Sequence, residues 1–429
     1  MAIAQLASRV IHAPRVTRVG IEGFCSFGSP GESIPLGPLT FIVGANASGK
    51  SNLVAALQFL SKAASSDVEV AMRQGGRDLW NRTGGGASQT LKFELDLDIP
   101  GDEWRRMASW RLPPLLRPRG FECSLRLDGG PAGRPKINLE QLTGAIEVGE
   151  PDDFAYSMKR DISSLVVNDP VAPRPESASR RKDLSPDESL WDRYNFPLDP
   201  DEPRLGIAMA FFSLPCYVVQ TALSRWQFLN IDPRAARQPC ALEADSSLGP
   251  NGERLAAVLH RLQDQDQLEP VVESLRGVVP GFDRVDPIEQ AVDGSQSFRI
   301  HEEHLGAALD LASASDGTIR LMVLAVVACD DANPAPMVVI EEAENGLHPH
   351  LAEHVVSILR YASQRRQVLV TTHNPAFLDY LDPGEVLLCD KIDGLTHVQR
   401  AADVAEIQRL GENFSLGDLW LQGVLGGTP

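Results

Sequence analysis

Positive charge is scarce in this sequence. Its 429 residues carry 40 Lys and Arg against 58 Asp and Glu, a formal net charge of −18. That balance excludes a chain coated throughout for nucleic-acid binding and leaves only a local basic face open. Cysteine is scarce too: six residues, Cys25, Cys123, Cys216, Cys240, Cys329 and Cys389, with no CxxC pair. Such scatter argues against a disulfide framework or a structural zinc. It predicts reduced core thiols in a cytoplasmic protein. No apolar run approaches the roughly 20 residues of a membrane span, so no membrane partner is expected. The first residues, MAIAQLASRVIHAPRV, are too short and interrupted for a secretory signal and read as a frayed leader before the first strand. No internal repeat and no sustained heptad occur, which excludes a long coiled coil.

What the chain does have is apolar content, 43%, enough for a sizeable core. Its length suits two or three domains, or one with a large insertion. The organising stretch is 39–60, LTFIVGANASGKSNLVAALQFL. Residues 44–51 fit the phosphate-binding pattern G-x-x-x-x-G-K-[ST]. The apolar run Phe41-Ile42-Val43 before it reads as a buried strand. Leu53, Val54, Leu57 and Leu60 after it fall on one helical face. A loop between strand and helix is the geometry the chemistry needs. Gly44 and Gly49 let backbone N–H groups approach phosphate oxygens, and the helix N-terminus adds positive character. Lys50 is placed to reach the β- and γ-phosphates, and the Ser51 hydroxyl to ligate Mg²⁺.

Around this loop the pattern alternates strand and helix. Residues 15–27 read as an edge strand and 90–99 as a strand with clean alternation. From about Pro100 the character changes. Residues 105–119 are rich in Arg and Pro, and 121–127 and 144–148 have strand character. Residues 169–204 form a long polar excursion, whose basic cluster Arg180-Arg181-Lys182 reads as solvated loop charge. Helix-like text returns at 205–228 and 252–275, and 282–285 and 297–301 look like strands. Then come an apolar helix over 321–329, a strand over 337–340, a helix over 350–366, and strands over 367–372 and 386–389. The alternation on both sides of the central stretch predicts an α/β fold with a mostly parallel sheet.

Three further elements suggest hydrolysis. The strand at 337–340 ends in Glu341-Glu342, which places two carboxylates at a sheet's C-terminal edge. Glu341 is expected on the Mg²⁺ side and Glu342 beside the attacking water. His373 follows the strand at 367–372 in the same way, within reach of a γ-phosphate. Ser315-Asp316-Gly317-Thr318 opens the apolar helix and forms either an ordinary N-cap or a second anion site.

Taken together and in this order, these elements resemble the ATP-binding-cassette superfamily, in its SMC-like and RecF-like branch of soluble ATPases. The resemblance covers roughly 15–97 and 305–427. Residues 44–51 match Walker A, 315–318 the signature, 337–342 Walker B, 344–349 the following D-loop, and 372–375 the switch histidine. The resemblance implies a P-loop NTPase fold of the ABC/SMC-head type, with a mixed sheet flanked by helices and split by a large globular insertion. It implies nucleotide contacts from Gly44, Asn46, Ala47, Ser48, Gly49, Lys50, Ser51 and Asn52, and from Ser315 and Gly317 of a second copy. It implies Mg²⁺ on Ser51 and Glu341, and catalytic roles for Glu342 and His373. Candidates for the glutamine loop are Gln74 and Gln220.

Expected divisions are 1–99 for the first half of the ATPase, 100–294 for the insertion, and 295–429 for the second half. The resemblance further implies an ATP-dependent homodimer and a separate effector protein, such as a nuclease. Nucleic acid is a further candidate partner, and the implied setting is DNA repair, genome maintenance or anti-phage defence. The chain departs from the usual pattern at Glu341 (commonly Asp), Ala343 (commonly Pro) and Asp316 (Gly in transporters). These departures keep a second reading open, a nucleotide-gated binding scaffold with little or no hydrolysis.

Overall fold

The computed structural model describes residues 14–73, 80, 90–99, 116–129, 135–148, 153–161, 164–169, 192–199, 202–209, 213–241, 247–289, 294–310, 313–331, 335–411 and 413–423. Its centre is a six-stranded sheet in the order β10 (Gln227–Leu229), β14 (Met337–Glu341), β15 (Gln367–Thr372), β3 (Leu39–Val43), β16 (Val386–Ile392), β17 (Leu395–Arg400). Neighbours from β10 to β16 run parallel, and β17 returns antiparallel to β16. The sheet is therefore mixed. β3 and β15 are buried along their whole length, as strands covered on both faces must be.

Alternation along these strands divides the interior into two cores. Ile42, Met337, Val339 and Leu369 point into one core, together with Leu53, Val54 and Leu57 of helix α1 (Lys50–Ser65). Phe41, Val43, Val338, Ile340, Val368 and Val370 point into the other. There they meet two helices: α5 (Asp316–Cys329), through Ile319, Met322 and Val326, and α6 (Ala352–Ser363), through Val355 and Leu359. Thus α1 and α5 lie on opposite faces of one sheet, a consequence of the two-residue strand period.

On the α1 side lies an antiparallel eight-stranded sheet in the order β2 (Glu32–Pro35), β1 (Arg15–Glu22), β4 (Thr90–Asp98), β5 (Leu116–Asp128), β6 (Lys136–Val148), β7 (Asp153–Asp161), β8 (Ser164–Asp169), β9 (Asp192–Pro197). Its apolar residues, Val19, Ile21 and Phe93 among them, join the α1 core. Phe93 stacks on Phe59 of α1 at 5.2 Å between ring centroids and meets Phe24 edge-on at 5.4 Å. It is 1% exposed. Phe93→Ala is expected to cost about 3–5 kcal/mol, read as a lowered denaturation midpoint at unchanged slope. A cost below about 1 kcal/mol would show that the two layers do not interlock there. Gln367 links the sheets further: its amide exchanges bonds with Val16 N and O at 3.0 and 2.7 Å and donates to Gly37 O at 2.9 Å.

Several expectations change in three dimensions. β1 is flanked by β2 and β4 and is not an edge strand, because half-buried alternation looks the same in either position. The sheet does not stop at the expected 99/100 division: β5 pairs with β4 along its length, so the strands after residue 100 continue the layer begun before it. The excursion over 169–204 contains β9, paired with β8, while 170–191 with its basic cluster lies outside the described residues. So do residues 105–115 and Gln74. The helical text over 205–228 includes α2 (Leu214–Ser224), but at Gln227 it changes to β10, an edge strand of the central sheet. Apolar residues on both sides of Ser224-Arg225 give the two segments a similar character, which hid that change of period.

The 252–275 stretch is a helix pair, α3 (Leu255–Asp264) and α4 (Glu269–Leu275). It packs on a three-stranded sheet of β11 (Phe282–Glu289), β12 (Gln296–Glu302) and β13 (Leu309–Asp310). Among the described residues, no helix is long and apolar enough to cross a membrane.

Candidate nucleotide-binding site

Strand register gathers the predicted residues at one edge. Val43 is level with Thr372 on one side and Leu388 on the other, and Glu341 is level with Thr371. Gly44, Glu342 and His373, each the next residue in its strand direction, therefore emerge together at the C-terminal edge. This is where open α/β sheets bind ligands.

The phosphate loop runs from β3 into α1, whose first residue is Lys50. Gly49 has φ 114°, and a side chain there would collide with Thr396 of β17. At Gly44 a Cβ would strike the Cys389 carbonyl. Only glycine fits at either position, so the loop lies tight against the β16–β17 hairpin. Thr396 is 1% exposed and donates to Ser48 O at 2.9 Å. Its hydroxyl also shares a 2.6 Å bond with Ser26, which accepts from the Asn52 amide at 2.5 Å. The Asn52 side chain thus braces the loop from beneath. Asn46, Ala47 and Ser51 are exposed on the open side.

Lys50 is 9% exposed, and its ammonium donates to Gly44 O at 2.6 Å and Ala45 O at 2.9 Å. Burial pushes its pKa below the ordinary lysine value, while Cys389, Glu342 and Glu344 act in the opposite direction. The buried Ser48 hydroxyl oxygen has no hydrogen-bond partner. A buried cation satisfied only by loop carbonyls and an orphaned hydroxyl suit a bound anion.

Glu341 shares the strand parity of Met337 and Val339, so it lies on the α1 side. Glu342 follows at φ 49°, a conformation that non-glycine residues rarely adopt. Its N–H donates to Thr371 O at 3.0 Å and Thr371 Oγ1 at 3.1 Å, and its Oε2 accepts from Asn345 at 2.6 Å. These bonds hold the turned backbone that frees its side chain from the strand's alternation.

Ser315 and Gly317 open α5, which packs on the face of the sheet opposite α1. Ser315 caps α5, its hydroxyl accepting from Thr318 N at 3.0 Å and pairing with Thr318 Oγ1 at 2.8 Å. Asp316 pairs with Arg237, which also donates to Ala314 O at 2.6 Å. Gly317 lies against the loop after β14, where a Cβ would sit 3.4 Å from Gly346 O. Gln220 lies elsewhere. It donates to Ala64 O at 3.1 Å, near the C-terminus of α1. At 1.5 Å per residue that is about 20 Å from Lys50, too far for a glutamine loop.

The structure adds residues that sequence reading passed over. Arg320, 5% exposed, donates to Ile231 O at 2.8 Å and reaches Glu342 O at 3.5 Å, tying α5 to the strand-end acids. Burial lowers its pKa. Its one-turn spacing from Asp316 was the available signal. Thr396 carried no local signal, because it meets the loop only through the fold.

The backbone arrangement is similar to two solved structures. One is the SmcHead bound to the C-winged helix domain of ScpA, at 14% identity and TM-score 0.52, covering 90% of this chain and 97% of that one. The other is the Smc head domain with an extended coiled coil bound to the C-terminal domain of ScpA, derived from Pyrococcus furiosus. It matches at 12% identity and TM-score 0.52, covering 93% of this chain and 100% of that one. The shared feature at these identities is the fold. No curated protein matches the chain. The family model "AAA domain, putative AbiEii toxin, Type IV TA system" matches 39–109 and 220–379, which include the phosphate loop, Glu341, Glu342, His373 and Ser315. Those segments exceed half of the sequence, and the chain belongs to this AAA domain family, with a fold similar to that of Smc head domains.

Proposed function

We propose that the protein binds ATP with Mg²⁺, closes head to head with a second copy, and hydrolyses the nucleotide, with closure as the signal to a partner. One observation carries this reading. The phosphate loop and strand-end acids share one edge, whereas Ser315 and Gly317 open a helix on the opposite face of the sheet. This arrangement supports a nucleotide sandwich whose second wall comes from another copy.

Within one copy, Lys50 and the loop N–H groups hold the phosphates. Ser51 and Glu341 suit Mg²⁺, which prefers hydroxyl, carboxylate and phosphate oxygens. The cation supplies charge neutralisation at the phosphates when bound. Glu342 orients and deprotonates the attacking water, and His373 donates a hydrogen bond at the terminal phosphate. The ScpA-bound heads support a protein partner as the target of closure. The family's toxin description supports a defence role, with genome maintenance as the alternative. The Asn345 bond on Glu342 favours, as second reading, a nucleotide-gated scaffold that turns over slowly.

Mixing two inactive variants tests the shared site. Lys50→Ala spoils a copy's own site, and Ser315→Arg spoils its partner's. In a mixed dimer both lesions fall in one site and the other is intact. Random pairing predicts recovery of roughly a quarter of the parent hydrolysis rate. Neither recovery nor ATP-dependent heterodimers would leave a site built within one chain.

A further inference from the structure

The carboxylate of Glu344 is more engaged than its place in a loop suggests. Its Oε1 accepts from Thr372 Oγ1 at 2.7 Å and His373 N at 2.9 Å, and lies 3.3 Å from His373 Nδ1. The side chain is 5% exposed, and Oε2 is buried without a hydrogen-bond partner. Burying a carboxylate is costly, and the hydroxyl and backbone bonds alone need only a neutral oxygen. The negative charge is best matched to the remaining donor, the Nδ1–H of His373. The turn that carries His373 is otherwise fixed through backbone: Asn374 N donates to Thr372 Oγ1 at 3.0 Å and Ala376 N to Asn374 Oδ1 at 3.0 Å. Among the described residues, Glu344 is the carboxylate that approaches the ring, whose side chain is 45% exposed. A carboxylate that commits one imidazole nitrogen leaves the other for the ligand.

We propose that Glu344 is a positioning residue: without nucleotide it holds His373 as the Nδ1–H tautomer, and when nucleotide binds, Nε2 takes a proton from solvent and donates it in a hydrogen bond to the terminal phosphate. The inference rests on the role given to His373 above. It assigns the histidine's carboxylate partner to the loop after β14, leaving Glu342 to act on water.

Two measurements decide it. The first needs no nucleotide. Protein labelled with ¹⁵N-histidine is examined at pH 8 by long-range ¹H–¹⁵N correlation, with His373 assigned from His373→Gln. The expected parent form is Nδ1–H. Glu344→Ala should shift it toward Nε2–H, the form free imidazole favours, and Glu344→Gln, which keeps an acceptor oxygen, should retain part of the Nδ1–H population. An Nε2–H parent overturns the proposal. The second is kinetic. Glu344→Ala should lower kcat about 10- to 100-fold with the ATP KM changed less than about threefold. On a His373→Ala background it should add no more than about a twofold loss. Independent, multiplicative losses overturn the proposal. If Glu344→Ala does not fold, the parent tautomer and the Glu344→Gln cycle still decide. A parent that hydrolyses no ATP refutes the proposed function, while the tautomer still tests Glu344.

Discussion

Lys50→Ala is expected to abolish hydrolysis and to weaken ATP binding by about 100-fold, roughly 3 kcal/mol, the upper range for a hydrogen bond to a charged group. The ammonium already lies in the loop, donating to Gly44 O and Ala45 O. It is preorganised against the phosphates at no further ordering cost. Removing it should not unfold the chain. Burial lowers the lysine's pKa, so its charged form costs folding stability at neutral pH, a cost relieved only as pH rises through the lowered value. Alanine removes that cost along with the two loop bonds, and the effects oppose each other. The melting temperature without ATP should move by no more than about 2 °C, while the ATP-induced rise disappears. Calorimetric titration and thermal melts with and without ATP–Mg²⁺ check this. Parent-like ATP affinity would refute the phosphate-loop assignment.

Glu342→Gln should separate binding from chemistry. Glutamine keeps the size and an acceptor for Asn345 but has no charge with which to take a proton. Turnover is expected to fall about 10²- to 10⁴-fold, the range for loss of a general base. ATP affinity should stay within a few-fold of the parent. With the reaction blocked, the closed dimer should accumulate, seen as an ATP-dependent doubling of mass by light scattering. Glu342 has φ 49°, and its N–H is anchored twice on Thr371. The substitution changes neither feature, so a change in rate reports on the carboxylate. Unchanged turnover would move the base elsewhere. Lost ATP binding would mean that Glu342 helps hold the nucleotide.

Much of the candidate site was legible in sequence because its signals are local. A phosphate loop is a contiguous run, and a buried strand ending in acids or histidine announces itself by an abrupt change of polarity at Glu341 and His373. The helix at Ser315 was legible for the same reason, as a capping hydroxyl before an apolar run. Edges and partners in a sheet are different. Nothing within residues 15–22 tells a central strand from an edge, and nothing within 227–229 says that three residues close the central sheet against β14. Those assignments depend on what lies alongside, which single-strand patterning does not encode.

By itself the sequence determined that this is an α/β protein with a phosphate loop, strand-end acids and a strand-end histidine, in that order. Local backbone preference and hydrophobic period suffice for that. Only the tertiary structure decided which of these groups meet. Parallel register brings Gly44, Glu342 and His373 to one edge, and strand parity sends α1 and α5 to opposite faces. Contacts across long sequence separations set Thr396 under Gly49 and the Glu344 carboxylate against His373. Such pairings arise from packing and hydrogen-bond satisfaction between distant segments, and no residue's own neighbours in the chain specify them.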